Sequence, residues 1–366
     1  MFGILRFVLA VNVALFHLGD VPTIGPYAVI SFFVLSGYLM TAVMRGPYGY
    51  SSKGFLRFWT NRFLRLYPFY WFALLLTVLG IWNVTGEEFA SNFHAALSVP
   101  RNVAEWLQNL SLIFFAERPI SVLPRLAPAT WALTIELFFY FAISIGFSRS
   151  RSVAAIWLAA SVAYSLTQTV TTGSGIPYGT LLSASLPFSL GAFLYYLAPS
   201  VNRAINGKRT LGIVLASLVY VLNSGIPSFE LPIALEPWKI MMVTDYGNLV
   251  LSAILVLLLS GVTARSESLR LIDTKFGDLS YPIYVFHWFC ACLITYWAAQ
   301  AGGSVSKSVL LALMSCVLAS LSWYLALPIE LLSNLVFRSL NQAATWFGSV
   351  TSIPSLNFTP VMTFAR

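Results

Sequence analysis

Charge is scarce in this chain: Asp, Glu, Lys and Arg make up 9% of its 366 residues, whereas AVILMFWYC residues make up 58%. A soluble domain carries about a quarter charged residues, so a water-facing surface over most of the chain is excluded. No polar block is long enough to fold alone, and apolar runs occur from end to end. One membrane-embedded unit is therefore predicted in place of the two soluble domains that the length suggests. Cysteine is nearly absent. Cys290, Cys292 and Cys316 lie in apolar runs, two of them too close together for an ordinary disulfide framework, and are expected to pack as small hydrophobes. Three histidines on unrelated segments, with no HExxH or CxxC pattern, imply no metal site. Neither a GxSxG elbow nor a phosphate-cradling glycine loop is present, so a serine nucleophile has no support.

What is present is hydrophobicity of membrane-spanning length. A spanning helix needs about 20 mostly apolar residues, and about ten stretches meet or approach that length. They are 2–19, 27–45, 67–84, 129–147, 153–172, 178–198, 210–225, 246–263, 280–300 and 308–336, the last interrupted by Pro328. The predicted fold class is all-α, a polytopic bundle of about ten transmembrane helices. Residues 1–338 form the expected membrane domain and 339–366 a cytoplasmic tail. The opening MFGILRFVLAVNVALFHLG has the length of a signal peptide but neither a preceding basic segment nor a small-residue cleavage site, and reads as a retained first helix. With the N-terminus cytoplasmic, sixteen of the 21 Lys and Arg residues fall on inner segments and five on outer ones, as the positive-inside rule asks. Both termini are thus expected in the cytoplasm. The net charge of +8 then describes a face against anionic lipid, and no nucleic-acid partner is implied. The longest outer segment, 85–128, contains Glu87, Glu88, His94, Glu105, Trp106 and Glu117 and is expected to cap the helices. Its WLQNLSLIFF stretch is too short to span and reads as interfacial or re-entrant.

Ionisable residues inside spans are costly and usually face a cavity or a partner, which singles out Arg6, His17, Glu136, His287 and Glu330. Arg6 and His17 are eleven residues apart, almost three turns or roughly 16 Å along one helix face. One stripe links a cytoplasmic cation to an outer imidazole; the bland alternative is a snorkelling arginine and a histidine that ends its helix. Glu136, in WALTIELFFY, is expected at the depth of His17, where a carboxylate fixes an imidazole tautomer and stabilises the imidazolium of a general base. A protonated or arginine-paired structural glutamate is the competing reading. Tyr140 lies one turn below Glu136 on the same face. In FLRFWTNRFLRLYP, Arg57, Arg62 and Arg65 precede the third span. Arg62 and Arg65, three apart, suit bidentate phosphate contacts on a helix, and equally topology and lipid headgroups. Ser36 and Gly37 read as close helix packing. His287, in SYPIYVFHW, is expected about two turns in from the cytoplasm, in a structural hydrogen bond. Glu330, beside Pro328, either satisfies a broken helix or counters an arginine. A transporter or flippase of a glycan precursor would use intramembrane charge equally, but no second copy of the Arg6–His17 stripe marks a repeat.

Five segments, RFVLAVNVALFH, FFVLSGYLMT, FWTNRFLRLYPFYW, WALTIELFFY and SYPIYVFHW, together make the chain resemble the acyltransferase 3 family of integral membrane sugar O-acyltransferases. They occur in the family's order and extend from residue 6 to about 330. The resemblance implies a bacterial inner membrane, an acyl-CoA donor with acetyl as the default group, and a carbohydrate hydroxyl as acceptor, with no metal. It implies that His17 is catalytic with Glu136 as its acidic partner, and that Arg6, Arg62 and Arg65, with neighbouring Arg57, serve the donor. Trp131, Tyr140, His287 and Glu330 are the expected acceptor-binding set. The family more often has a serine after the tryptophan and two successive acidic residues where this chain reads WALTIELFFY, so Glu136 alone must do any acidic work. Relatives with an added hydrolase-like domain process a carrier in two steps; direct transfer is expected here.

Overall fold

The structure, a computed structural model, describes residues 1–21, 24–173, 175–205, 209–228, 236–262 and 266–348. The end of the expected tail and the Glu330 side chain lie outside the described residues. Helices occupy all ten expected positions: α1 Gly3–Leu18, α2 Ile24–Val43, α3 Ser52–Gly80, α6 Trp131–Ala142, α7 Arg151–Thr172, α8 Ser185–Ala204, α9 Arg209–Gly225, α10 Pro237–Ser260, α11 Glu267–Gln300 and α12 Val309–Gly348. Two short helices, α4 Glu87–Phe93 and α5 Val103–Ser111, belong to the 85–128 segment. Seven helices are long and apolar enough to cross a membrane, while α1 and α9 are shorter apolar helices. α1, at 16 residues, is only about 24 Å long. It packs against α2, α11 and α12 with Leu9, Ala10, Val13, Ala14 and Leu18 buried.

α2, α3 and α6 each run on into a π-helical turn, Met44–Tyr48, Ile81–Thr85 and Ile143–Phe147. Gly49 and Gly86 end the first two at φ of 71° and 75°, a region open to glycine at little cost. Their N–H groups reach back five residues, to the carbonyls of Met44 and Ile81.

Two helices begin well before their apolar runs. α3 starts at Ser52, so Arg57, Arg62 and Arg65 sit on the helix itself rather than in a loop before it. Ser51 caps it, its Oγ accepting from the Gly54 N–H at 3.1 Å, and the helix continues past Pro68, where Tyr281 donates to the Leu66 carbonyl at 2.8 Å. α11 starts at Glu267, where Ser266 Oγ accepts from the Leu269 N–H at 3.2 Å. His287 therefore lies about 30 Å along this helix, past its middle rather than two turns in from its start. α12 also passes unbroken through Pro328 and on beyond residue 338.

Side-chain pairs set the relative directions. α1 and α11 run parallel, since Phe7 packs on Phe276 and His17 on His287. α2 and α8 are parallel through Phe33–Phe188 and Tyr38–Tyr195, and α2 and α10 through Tyr27–Thr244 and Ser31–Ser252. Counted along the ten long helices, each pair shares its parity, as strictly alternating crossings require. The surface of α7, α9, α10 and α12 carries exposed Val, Leu and Ile side chains, which lipid covers without penalty.

The α2–α8 contact is backbone against backbone. A Cβ on Gly37 would fall 2.2 Å from the Phe188 carbonyl oxygen, and one on Gly191 1.9 Å from that of Val34, the close approach that small residues permit. Gly191→Leu should therefore sharply reduce monodisperse protein on size-exclusion chromatography in detergent. Gly46→Ala, at a position with no atom within 4 Å of the new Cβ, should match wild type.

Candidate active site

Three arginines from two helices converge on one cavity of about 120 Å³. Arg6 of α1 and Arg62 and Arg65 of α3 line it with Ser36, Glu136 and Tyr140 on one side and Ser280, Tyr281 and Tyr284 of α11 on another. Arg62 and Arg65 fall on one face because they are three apart on a helix. Arg62 is 4% exposed and donates to Asn61 Oδ1 at 2.8 Å. The Nε groups of Arg6 and Arg62 are buried without a hydrogen-bond partner. Asp273 and Asp278 of α11 act electrostatically on Arg6, and Asp278 also on Arg65. Two unused guanidinium Nε donors in a cavity lined by three arginines suit a phosphorylated ligand.

Glu136 belongs to this cavity. Ser36 donates to its Oε1 at 2.5 Å and Tyr140 donates to the same oxygen. The expected contact between Glu136 and His17 is replaced by another one: His17 Nδ1 lies 3.0 Å from His287 Nε2, the two rings 9° from parallel. His287 is fully buried, and its Nδ1 is 2.8 Å from the Ile283 carbonyl. A carbonyl only accepts, so His287 carries its proton on Nδ1 and, as a neutral ring, presents a bare Nε2. His17 must then donate from Nδ1, which leaves the lone pair on its Nε2. Neither ring has a carboxylate partner among the described residues, and a buried cation there would be uncompensated. One end of the bundle thus holds a neutral imidazole with a fixed tautomer, the arrangement a general base needs. The arginine cavity extends to Tyr284, one helical turn from His287.

The 85–128 segment closes the His17 end. His94, the residue after α4, packs at a tilt with its ring 4.2 Å from that of Trp288, which is 5.1 Å from the His17 ring. Phe93 also packs on Trp288, and Lys307 Nζ lies 6.0 Å from its ring. The segment is clamped by buried polar side chains. Asn109 donates to the carbonyls of Glu105 and Pro124 and accepts from the Leu126 N–H, and Tyr70 donates to the Asn109 carbonyl. Arg125, 4% exposed, spends its guanidinium on the carbonyls of Ile120, Val122 and Pro128. α5 turns Val103, Leu107 and Leu110 outward, a stripe suited to the interface.

Of the expected site residues, Arg6, Arg62, Arg65, Glu136 and Tyr140 meet in the cavity, and His17 meets His287 beyond it. Arg57 and Trp131 do not line the cavity; Trp131 packs on Tyr178 at 5.0 Å. The residues missed are Ser36, Ser280, Tyr281 and Tyr284. Ser280, Tyr284 and His287 stand at i, i+4 and i+7, a polar stripe in an apolar run that names one face of α11.

Burial first, then the charges of Arg125 and Lys307, hold His94 down to about 4. Below the usual pKa near 6.5, the unfolded chain takes up a proton that the folded ring refuses, so stability should fall as pH drops from 6.5 towards 4. A melting curve for His94→Gln should show a smaller loss over that window than wild type.

A family model described as an acyltransferase domain matches residues 2–327. No curated protein and no solved structure gives a match. Seven helices of membrane-crossing length, shorter apolar helices and an arginine-lined cavity are thus joined in one chain that belongs to the acyltransferase 3 family.

Proposed function

We propose that this acyltransferase moves an acyl group, acetyl by family default, from acyl-CoA to a hydroxyl of a cell-surface or exported carbohydrate. The observation that carries this reading is the relay from the Ile283 carbonyl through His287 to His17, which leaves the His17 Nε2 lone pair as the base. The basic end of the bundle is cytoplasmic, in a bacterial inner membrane. CoA phosphates bind against Arg6, Arg62 and Arg65, and the unused Nε donors of Arg6 and Arg62 favour an anion. The slender pantetheine arm passes Tyr281 and Tyr284 and brings the thioester to His17, roughly 16 Å from Arg6 along α1. His17 takes the proton of the acceptor hydroxyl as its oxygen attacks the thioester carbon; the carbon–sulfur bond breaks and the thiolate recovers the proton.

Glu136 serves the donor side, tied to Ser36 and Tyr140 and facing the arginines. Because Glu136 is bonded to Ser36 and Tyr140 while His17 is bonded to His287, it is His287 that sets the His17 tautomer on this reading. A flippase reading has no comparable support, because nothing in the fold favours two copies of a half-site.

The test is transfer of label from acetyl-CoA in native membranes. His17→Ala should lose a factor of about 10²–10⁴ in kcat, the usual worth of a general base. Arg65→Ala should instead raise the donor KM about tenfold or more, as loss of a charge-assisted contact does. Wild-type turnover in His17→Ala would sink the mechanism.

A further inference from the structure

The chain has three histidines, and the third, His94, also lies at the His17 end. The Ala96 N–H donates to His94 Nδ1 at 3.1 Å, so the neutral ring carries its proton on Nε2. No hydrogen bond from Nε2 is formed among the described residues. The turn that carries His94 is pinned from the far side of the segment, since the Arg125 N–H donates to the Ala96 carbonyl at 2.9 Å while the Arg125 guanidinium is locked on three other carbonyls. His94 and His17 contact the same indole, at 4.2 and 5.1 Å. One imidazole offers a lone pair and the other an N–H, both held rigidly around Trp288.

We propose that His94 is a second catalytic residue, whose Nε2–H stabilises the oxyanion formed on the thioester carbonyl; this rests on the acyl-transfer reading above. When the acceptor oxygen bonds to the carbonyl carbon, the C=O electron pair moves onto oxygen, and His94 donates a hydrogen bond to that charge without giving up its proton. The pair returns as the carbon–sulfur bond breaks, the His17 proton goes to the thiolate, and His94 ends as it began. A donor for this task must be placed in advance. His94, titrating near 4, stays uncharged throughout the neutral range, and the Arg125 clamp supplies the fixed position.

Two substitutions separate this role from a structural one. Asn at position 94 can keep the bond from Ala96 N–H but offers no donor where Nε2 stood; Gln offers that donor and is poorly placed to keep the loop bond. Acyl transfer from labelled acetyl-CoA in native membranes is measured for wild type, His94→Asn, His94→Gln and His17→Ala, with detergent melting curves for each. The expected result is a kcat loss of about 10²–10³ in His94→Asn, the worth of one oxyanion donor, at an unchanged donor KM, with most of the rate kept by His94→Gln. The reverse order, equal losses, or wild-type kcat in His94→Asn overturns the proposal. If His17→Ala is inactive while His94→Asn matches wild type, only the role of His94 falls; if His17→Ala retains full turnover, the acyl-transfer reading falls and takes this one with it.

Discussion

The carbonyl of Ile283 fixes where the protons lie in the His17–His287 pair. It accepts the Nδ1 proton of a fully buried imidazole, and that single bond determines which nitrogen of His287 is bare, hence which nitrogen of His17 is protonated, hence where the free lone pair lies. Triads usually orient a histidine with a carboxylate. Here the orienting partner is a second neutral imidazole, an economical choice inside a bilayer, where a carboxylate would itself have to be paired or protonated. It also depends on register. His17 and His287 meet only because α1 and α11 run parallel and close, with Phe7 on Phe276 near one end and the two rings near the other.

The second constraint is the separation of charge from chemistry. Arg6, Arg62 and Arg65 share a cavity with Glu136, while the relay has no carboxylate among the described residues. On the proposed reading a phosphorylated donor would meet its counter-charges at one depth and the base at another, with α1 setting the distance between them. The 85–128 segment packs over the His17 end, its turns held by Asn109, Arg125 and Tyr70 rather than by its own short helices.

Run length made the ten helices legible, because a bilayer imposes about 20 apolar residues on each crossing. It misled where a helix is longer than its apolar part. The polar segment ESLRLIDTKFGDLS reads as loop, yet Ser266 caps it and α11 begins there. That shift places His287 past the middle of α11 rather than two turns in from its start, level with His17. Glu136 was placed correctly on α6 but matched to the wrong residue, since depth along a helix says nothing of the face on which a side chain finds its partners. Ser36, read as packing, is a donor to Glu136, while Gly37 beside it does carry the packing against Phe188.

With only three histidines in the chain, the tautomer of each is open to direct observation. The decisive measurement is ¹⁵N NMR of ring-labelled histidine in the purified protein at neutral pH, assigned by substituting each histidine in turn. The account predicts that both His17 and His287 are neutral and protonated on Nδ1, with a bare Nε2 on each. Protonation of His17 on Nε2, or a charged ring at either position, would contradict it.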